Sequence, residues 1–353
     1  MKIAFLNDTH CGVRNSSDIF IEQQRKFYEE VFFPYLNKHD IKEIIHLGDY
    51  YEHRKFVNFK ALNANRHHFL DHLRSNGIHM TIIPGNHDVY YKSTNSLNAL
   101  KELLGYYTDC VTIVHKPQNK TFDGVDIALI PWINNENYEE TFKFIDNTTA
   151  QFCGGHFEFT GFDMMKGVEN THGMGTKSFS KFEQVWSGHF HTKSTQGNVT
   201  YFGSQMEFTW ADCDDPKYFH VFDTMDRTVT PVLNPNKLFT KIVYDDTIQD
   251  YDQHDVTQYK DHFIKVVIVN KKNSFVYDKF IERLNQVGAH QIKIAETFSE
   301  FEGTNVSDDG IEVEDTTVLL NSYIDNVDTD LDKEKIKNVM SSLYVESQNM
   351  DVL

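Results

Sequence analysis

Five short polar motifs constrain this chain more than any other feature: Asp8-Thr9-His10, Gly48-Asp49, Gly85-Asn86-His87-Asp88, Gly155-His156 and Gly188-His189-Phe190-His191. Each follows an apolar run, respectively IAFL, EIIHL, MTIIP, FCG and VWS. A short apolar run bounded by glycine and polar residues reads as a buried β-strand. The motifs therefore sit at the carboxyl ends of strands, where ligand crevices form in open α/β sheets. Side chains two apart in an extended tip share a side, so Asp8 can act with His10, and His189 with His191. The glycines let the backbone turn tightly beneath a bound group. Singly, an Asp-x-His is commonly surface decoration and a Gly-His a turn. All five in this order, each at a strand end, point to one metal-binding crevice.

Runs at 2–6, 43–47 and 80–83 predict strands, with helices over 17–37 and 58–76 between them. This β-α-β-α-β rhythm predicts a mostly parallel first sheet. From residue 111 the strands become closely spaced, at 111–114, 125–130, 151–153, 184–186, 199–202 and 218–222, which predicts a second sheet packed on the first. The expected class is α/β, a two-sheet sandwich flanked by helices over residues 1–235. Pro231 and Pro235, with neighbouring asparagines, mark its end. A strand at 262–270, a helix at 277–286 and a strand at 290–295 predict a small α/β cap domain over 236–300. Residues 301–315 read as an acidic linker. A helical tail over 316–353 carries two apolar stripes, Leu319, Leu320, Tyr323, Ile324 and Val327, then Ile336, Val339, Met340, Leu343 and Tyr344. Thr329 and Asp332 form a capping box opening the second tail helix.

Net charge is −18, which argues against a simple polyanion binder. Residues 301–353 account for much of it, with 13 acidic and 3 basic residues. The four cysteines are scattered without a C-x-x-C pair and read as free thiols of a reducing cytoplasm. No run of apolar residues is long enough to span a membrane, and the opening residues read as a first strand rather than a signal peptide.

On these motifs and their order, the chain resembles the calcineurin-like metallophosphoesterases, and within them the SbcD-type DNA-repair and recombination nuclease subunits of the bacterial and phage branch. The resemblance is strongest over residues 1–210. It implies that Asp8, His10, Asp49 and His191 hold one divalent cation, and that Asp49, Asn86, His156 and His189 hold a second. Carboxylate, amide and imidazole ligands without thiolate suit Mn²⁺, with Mg²⁺ or Fe²⁺ as alternatives. A shared carboxylate holds two such ions roughly 3.5–4 Å apart, a spacing suited to in-line phosphoryl displacement. His87 is expected to orient the phosphate and to stabilise or protonate the departing oxygen. Asp88 reads either as the group that holds the His87 ring or as a surface turn carboxylate. Glu52 stands where archaeal and eukaryotic relatives carry a histidine. Glu52 and His53 read either as residues that place a DNA end or as a charged rim.

The resemblance further implies a DNA substrate and a coiled-coil ATPase partner of SbcC type, gripped through 316–353, with a homodimer inside a heterotetramer. Helical positions in 58–76 and the segment 88–106 are the candidate dimer face. A small-molecule phosphatase or cyclic-nucleotide phosphodiesterase is the alternative within the superfamily; a metal-bound scaffold without catalysis is a third reading.

Overall fold

The computed structural model describes residues 1–165 and 168–295, and beyond them Ile324, Lys333, residues 335–337 and Met340. The chain divides into two compact units, Met1–Thr240 and Lys241–Leu353. The expected linker at 301–315, and most of the expected tail at 316–353, lie outside the described residues. Of the stripe residues, Ile324, Ile336 and Met340 are described, each helical.

In the first unit, β1 (Lys2–Leu6), β2 (Glu43–His46), β3 (His79–Ile82) and β4 (Val111–Ile113) lie side by side in parallel. The chain then builds a second sheet from β5 (Gln118–Phe122), β6 (Val125–Ile130) and β7 (Phe152–His156). A small hairpin, β8 (Asp163–Met165) and β9 (Val168–Glu169), leads to β10 (Gln184–Gly188), β11 (Ser194–Gln196) and β12 (Val199–Tyr201). The second sheet has the order β11-β12-β10-β7-β6-β5, parallel in its centre and antiparallel at both edges. The chain finally returns to the first sheet through β13 (Tyr218–Asp223) and β14 (Thr228–Leu233), giving the order β14-β13-β1-β2-β3-β4.

Two details differ from the sequence reading. The strands expected at 111–114 and 218–222 belong to the first sheet, because a strand's own residues do not say which neighbour it pairs with. Pro231 lies inside β14, opposite His220, and the first unit runs on to Thr240. β14 is an edge strand, where a residue without an N–H is tolerated.

Alternation along β1 shows how the layers form. Ile3 and Phe5 point into the space between the sheets, while Ala4 and Leu6 point toward the helices. Phe5 meets the Trp186 ring edge-on at 4.9 Å, and Phe152 stacks on Trp186 at 5.2 Å. Burying each such large side chain contributes about 1.5–3 kcal/mol. Helical segments over 18–38 and 59–75 cover the outer face of the first sheet, burying Phe27, Phe32, Phe69 and Leu73. Phe157, Phe159, Phe179 and Tyr201 fill the outer face of the second.

The second unit is a three-stranded sheet of β15 (Phe239–Asp245), β16 (Phe263–Asn270) and β17 (Gln291–Ala295). Its helix, Ser274–Gln286, is capped by Asn273, whose side chain accepts from the backbone N–H groups of Phe275 and Val276. That helix buries Tyr277, Phe280 and Leu284 against Tyr244, Ile264 and Val266. Among the described residues no helix is long and apolar enough to cross a membrane.

Candidate metal centre

The tips of β1, β2, β3, β7 and β10 bring all five motifs together in the first unit. Four candidate ligands take left-handed backbone: Asp8 (φ 49°), His10 (φ 45°), Asp49 (φ 53°) and His189 (φ 89°). Non-glycine residues adopt this region rarely, and such strain clusters at functional sites. Gly48 also turns left-handed, at φ 92°. A Cβ on Gly85 would stand 2.2 Å from Asp49 Oδ1, so only glycine fits against that carboxylate.

A hydrogen-bonded frame holds the tips in place. Asp8 N donates to Gly48 O at 3.0 Å, and His10 N to Asp49 O at 3.1 Å. The Asp8 carboxylate accepts the backbone N–H of His189 at 3.0 Å. Asp49 Oδ1 accepts the backbone N–H of His87 at 2.8 Å. Each carboxylate thus ties its own tip to that of another strand, and both residues are buried.

Three groups of candidate ligand atoms result among the described residues: Asp8 with His10 and His191, Asp49 with His156 and His189, and, flanking these two, His10 with Glu52 and His87. In the first, His10 Nε2 lies 3.1 Å from His191 Nε2 and 3.9 Å from Asp49 Oδ2. In the second, Asn86 Oδ1 is 2.9 Å from His156 Nε2 and 3.0 Å from His189 Nδ1, while Asp49 Oδ2 is 3.2 Å from His156 Nε2. Asp49 thus stands between these two groups.

Charge in the cluster supports a cation. Leu47 O can only accept, so His156 Nδ1, 2.7 Å away, must carry the proton. His156 Nε2 then faces two oxygen acceptors, and can do so comfortably only as an imidazolium or against a metal ion. Burial alone would lower the His156 pKa, but the Asp49 and Asp8 carboxylates push it up to about 9. Burial opposes ionisation of Asp49 as well, yet the rings of His156, His87 and His10 hold it well below the carboxylate range. Burial and neighbouring His156 keep His189 neutral, and burial with His10 lowers His191. A divalent ion requires neutral imidazoles and ionised carboxylates. His189, His191 and Asp49 already meet that requirement. His156, and His10, which burial would lower but Glu52, Asp49 and Asp8 raise to about 10, would each give up a proton to an incoming ion.

His87 and Glu52 flank this arrangement. His87 Nδ1 lies 2.7 Å from the Glu52 carbonyl, so that nitrogen carries its proton and Nε2 remains for chemistry. Glu52 Oε2 makes a 2.6 Å ionic contact with His10 Nδ1, which turns His10 Nε2 toward the cluster. His53 is beside them, with its ring stacked on Phe56 at 4.3 Å.

Asp88 does not hold the His87 ring. It is buried, and its carboxylate accepts backbone N–H bonds from Tyr50 and Tyr51 at 3.0 Å and from Gly85 at 2.9 Å. It fastens the β2 loop to the β3 loop. Burial first, then the nearby Asp49 charge, raise its pKa to about 7.

Several supporting residues escaped the sequence reading. Asn7 Nδ2 donates to Asp8 Oδ2 at 2.6 Å and to Gly203 O at 2.7 Å. Lys217, nearly fully buried, donates to His191 O at 2.9 Å while paired with Asp212 at 2.6 Å and Asp215 at 2.8 Å. Phe208 stands edge-on to His10 and His191, each at 5.4 Å, and Trp132 packs against His189 at 5.4 Å. Of these only Asn7 carried a local signal, its position beside the first motif.

Residues 1–204 match the calcineurin-like phosphoesterases. The chain belongs to that family. This calcineurin-like phosphoesterase is 32% identical over 351 residues to exonuclease subunit 1 of Enterobacteria phage T4, covering 98% of this chain and 99% of that protein. An archaeal phosphodiesterase structure aligns at 15% identity with a TM-score of 0.34, covering 66% of this chain and 100% of that one. The glutamine-dependent NAD⁺ synthetase of Acinetobacter baumannii aligns at 10% identity with a TM-score of 0.27, covering 99% and 72%. Scores this low carry no argument. As a calcineurin-like phosphoesterase, the chain is an enzyme that hydrolyses phosphoesters with divalent metal ions, and its histidine and carboxylate clusters could hold such ions.

Proposed function

We propose that this phosphoesterase is a two-metal DNA nuclease working as a subunit of an SbcCD-like complex that processes double-strand breaks and recombination intermediates. Asp8, His10, Asp49 and His191 hold one ion, and Asp49, Asn86, His156 and His189 the second, with Mn²⁺ the best match to this oxygen and imidazole set. The observation that carries the reading is the position of Asp49 between the two groups, 3.9 Å from His10 and 3.2 Å from His156.

When bound, the ions would supply Lewis acidity to the phosphate and lower the pKa of a water molecule. His87, held at Nδ1 by the Glu52 carbonyl, presents Nε2 to the phosphate or leaving oxygen. Glu52 orients His10 and keeps its Nε2 facing the cluster. Asp88 positions the loops through its three backbone N–H bonds. DNA as substrate is supported by the phage exonuclease subunit that the chain matches end to end. That relative is a subunit by name, which also supports a partner. The partner is a coiled-coil ATPase bound through 316–353, in the cytoplasm of a bacterium or phage-infected host. A homodimer forms through helical positions in 58–76 and the segment 88–106.

The test is metal-dependent cleavage of linear DNA, measured for the chain alone and with the ATPase. Mn²⁺-dependent cleavage that ATP and the partner stimulate is expected. Hydrolysis of cyclic nucleotides or small monoesters with no action on DNA would establish the phosphatase alternative instead.

A further inference from the structure

The two loops that carry Glu52 and His87 also carry acid-free basic and aromatic stretches. Residues 53–60 read His-Arg-Lys-Phe-Val-Asn-Phe-Lys without an acid, and 89–92 read Val-Tyr-Tyr-Lys, in a protein of net charge −18. Phe56 is 63% exposed and Tyr91 49% exposed. Packing does not explain a phenyl ring left in water, since little of its apolar area is buried. Nor is the Phe56 ring loose. His53 stacks beneath it, with centroids 4.3 Å apart and planes 23° from parallel. His53 directly follows Glu52, which contacts both His10 and His87. On the other loop, the Lys55 ammonium lies over the Tyr90 ring at 5.7 Å, and Tyr90 stands edge-on to Tyr91 at 4.6 Å.

We propose that Phe56, backed by His53, is a stacking platform for the base of a nucleotide in an unpaired DNA strand, next to the site of phosphodiester cleavage. This rests on the nuclease reading above and names its substrate class: a single strand or a frayed end. The chemistry is that of single-strand binding, in which a flat aromatic face takes a base while nearby cations attract the backbone. Every base has such a face, so the platform is tolerant of sequence. A base inside a duplex has both faces covered by its neighbours, so Phe56 can take only a base with an open face, and an unpaired one offers it most readily. The His53 stack fixes the ring plane in advance and reduces the ordering cost of binding. Arg54 and Lys55, together with proximity to the metal centre, favour nucleic acid over an apolar protein partner.

The experiment compares wild type, Phe56→Ala and Phe56→Trp as full chains. Substrates are a flush duplex, a duplex with a mismatched end, and the small diester bis(p-nitrophenyl) phosphate. Phe56→Ala should raise KM for the frayed duplex by roughly 10-fold or more, with a much smaller change in kcat, and should erase the preference for frayed over flush ends. Phe56→Trp should restore both. A terminal 2-aminopurine should be quenched on binding wild type and Phe56→Trp, but not Phe56→Ala. Unchanged KM and quenching in Phe56→Ala, with DNA still cleaved, would overturn the platform while leaving the nuclease reading intact. Loss of self-association in Phe56→Ala with DNA binding preserved would assign the surface to a protein partner. Hydrolysis of the small diester with no DNA cleavage by wild type would remove the nuclease reading and this inference together.

Discussion

His156 Nδ1 donates its proton to the backbone carbonyl of Leu47 across 2.7 Å, tying the tip of β7 to the end of β2. The bond fixes the ring's tautomer and directs Nε2 at Asn86 and Asp49. A second-neighbour bond of this kind sets the orientation and basicity of a metal-binding histidine.

Asn86 and His189 complete the same cluster, and each reaches it from a separate strand tip. Asn86→Ala or His189→Ala should lose the second ion and abolish nuclease activity while the fold stays largely intact. Cleavage of DNA with Mn²⁺, followed beside circular dichroism, checks this. More than a tenth of wild-type activity in either variant would contradict the assignment.

His87→Ala should keep both ions and lose about 10²–10⁴-fold in turnover, the range for a positioned acid or base. Calorimetric metal titration and single-turnover cleavage of one preparation separate the two roles. A drop in metal stoichiometry would make His87 a ligand.

Gly85→Ala should be as damaging as loss of a ligand, because the added methyl group meets Asp49 Oδ1 at 2.2 Å. Either Asp49 or the β3 loop must move. Metal affinity at least tenfold weaker is expected by calorimetry; wild-type affinity would show that the loop yields at no cost to the centre.

The motifs were legible because their chemistry lies in residue types that apolar runs do not otherwise end in. Their supports were not. Lys217 reaches His191 O, and Phe208 reaches the His10 ring, across long stretches of chain that carry no local pattern. Asp88 misled for the opposite reason: adjacency to His87 suggested a contact, but the left-handed turns and Gly85 bring three backbone N–H groups to its carboxylate instead. A proline's neighbourhood does not show whether its strand lies at an edge, so nothing local to Pro231 reveals that β14 runs through it.

Glu207 carries a pH dependence separate from the metal centre. It is buried and accepts the N–H groups of Leu238 at 2.6 Å and Phe239 at 2.8 Å, yet burial still raises its pKa from 4.5 to about 7. Between those two values the unfolded chain releases this proton while the folded chain retains it. Stability from this group is therefore greatest below pH 4.5 and is lost as pH rises through about 7. Urea unfolding at several pH values should show Glu207→Gln gaining on wild type across that window, by on the order of 1–3 kcal/mol. A pH-independent difference would show that Glu207 titrates normally.

Deleting residues 316–353 should leave weak metal-dependent nuclease activity but end association with the ATPase and its stimulation by ATP. Thermal melting and pull-down on the truncated chain decide between partner docking and packing on the nuclease body. An unchanged melting temperature with lost pull-down is expected; a large fall in melting temperature with pull-down preserved would refute the docking role.

The shared carboxylate is the centre of the account, and anomalous scattering from crystals soaked in Mn²⁺ tests it most directly. Two peaks are expected on either side of Asp49, roughly 3.5–4 Å apart, one beside Asp8, His10 and His191 and the other beside Asn86, His156 and His189. A single peak, or two that do not share Asp49, would contradict it.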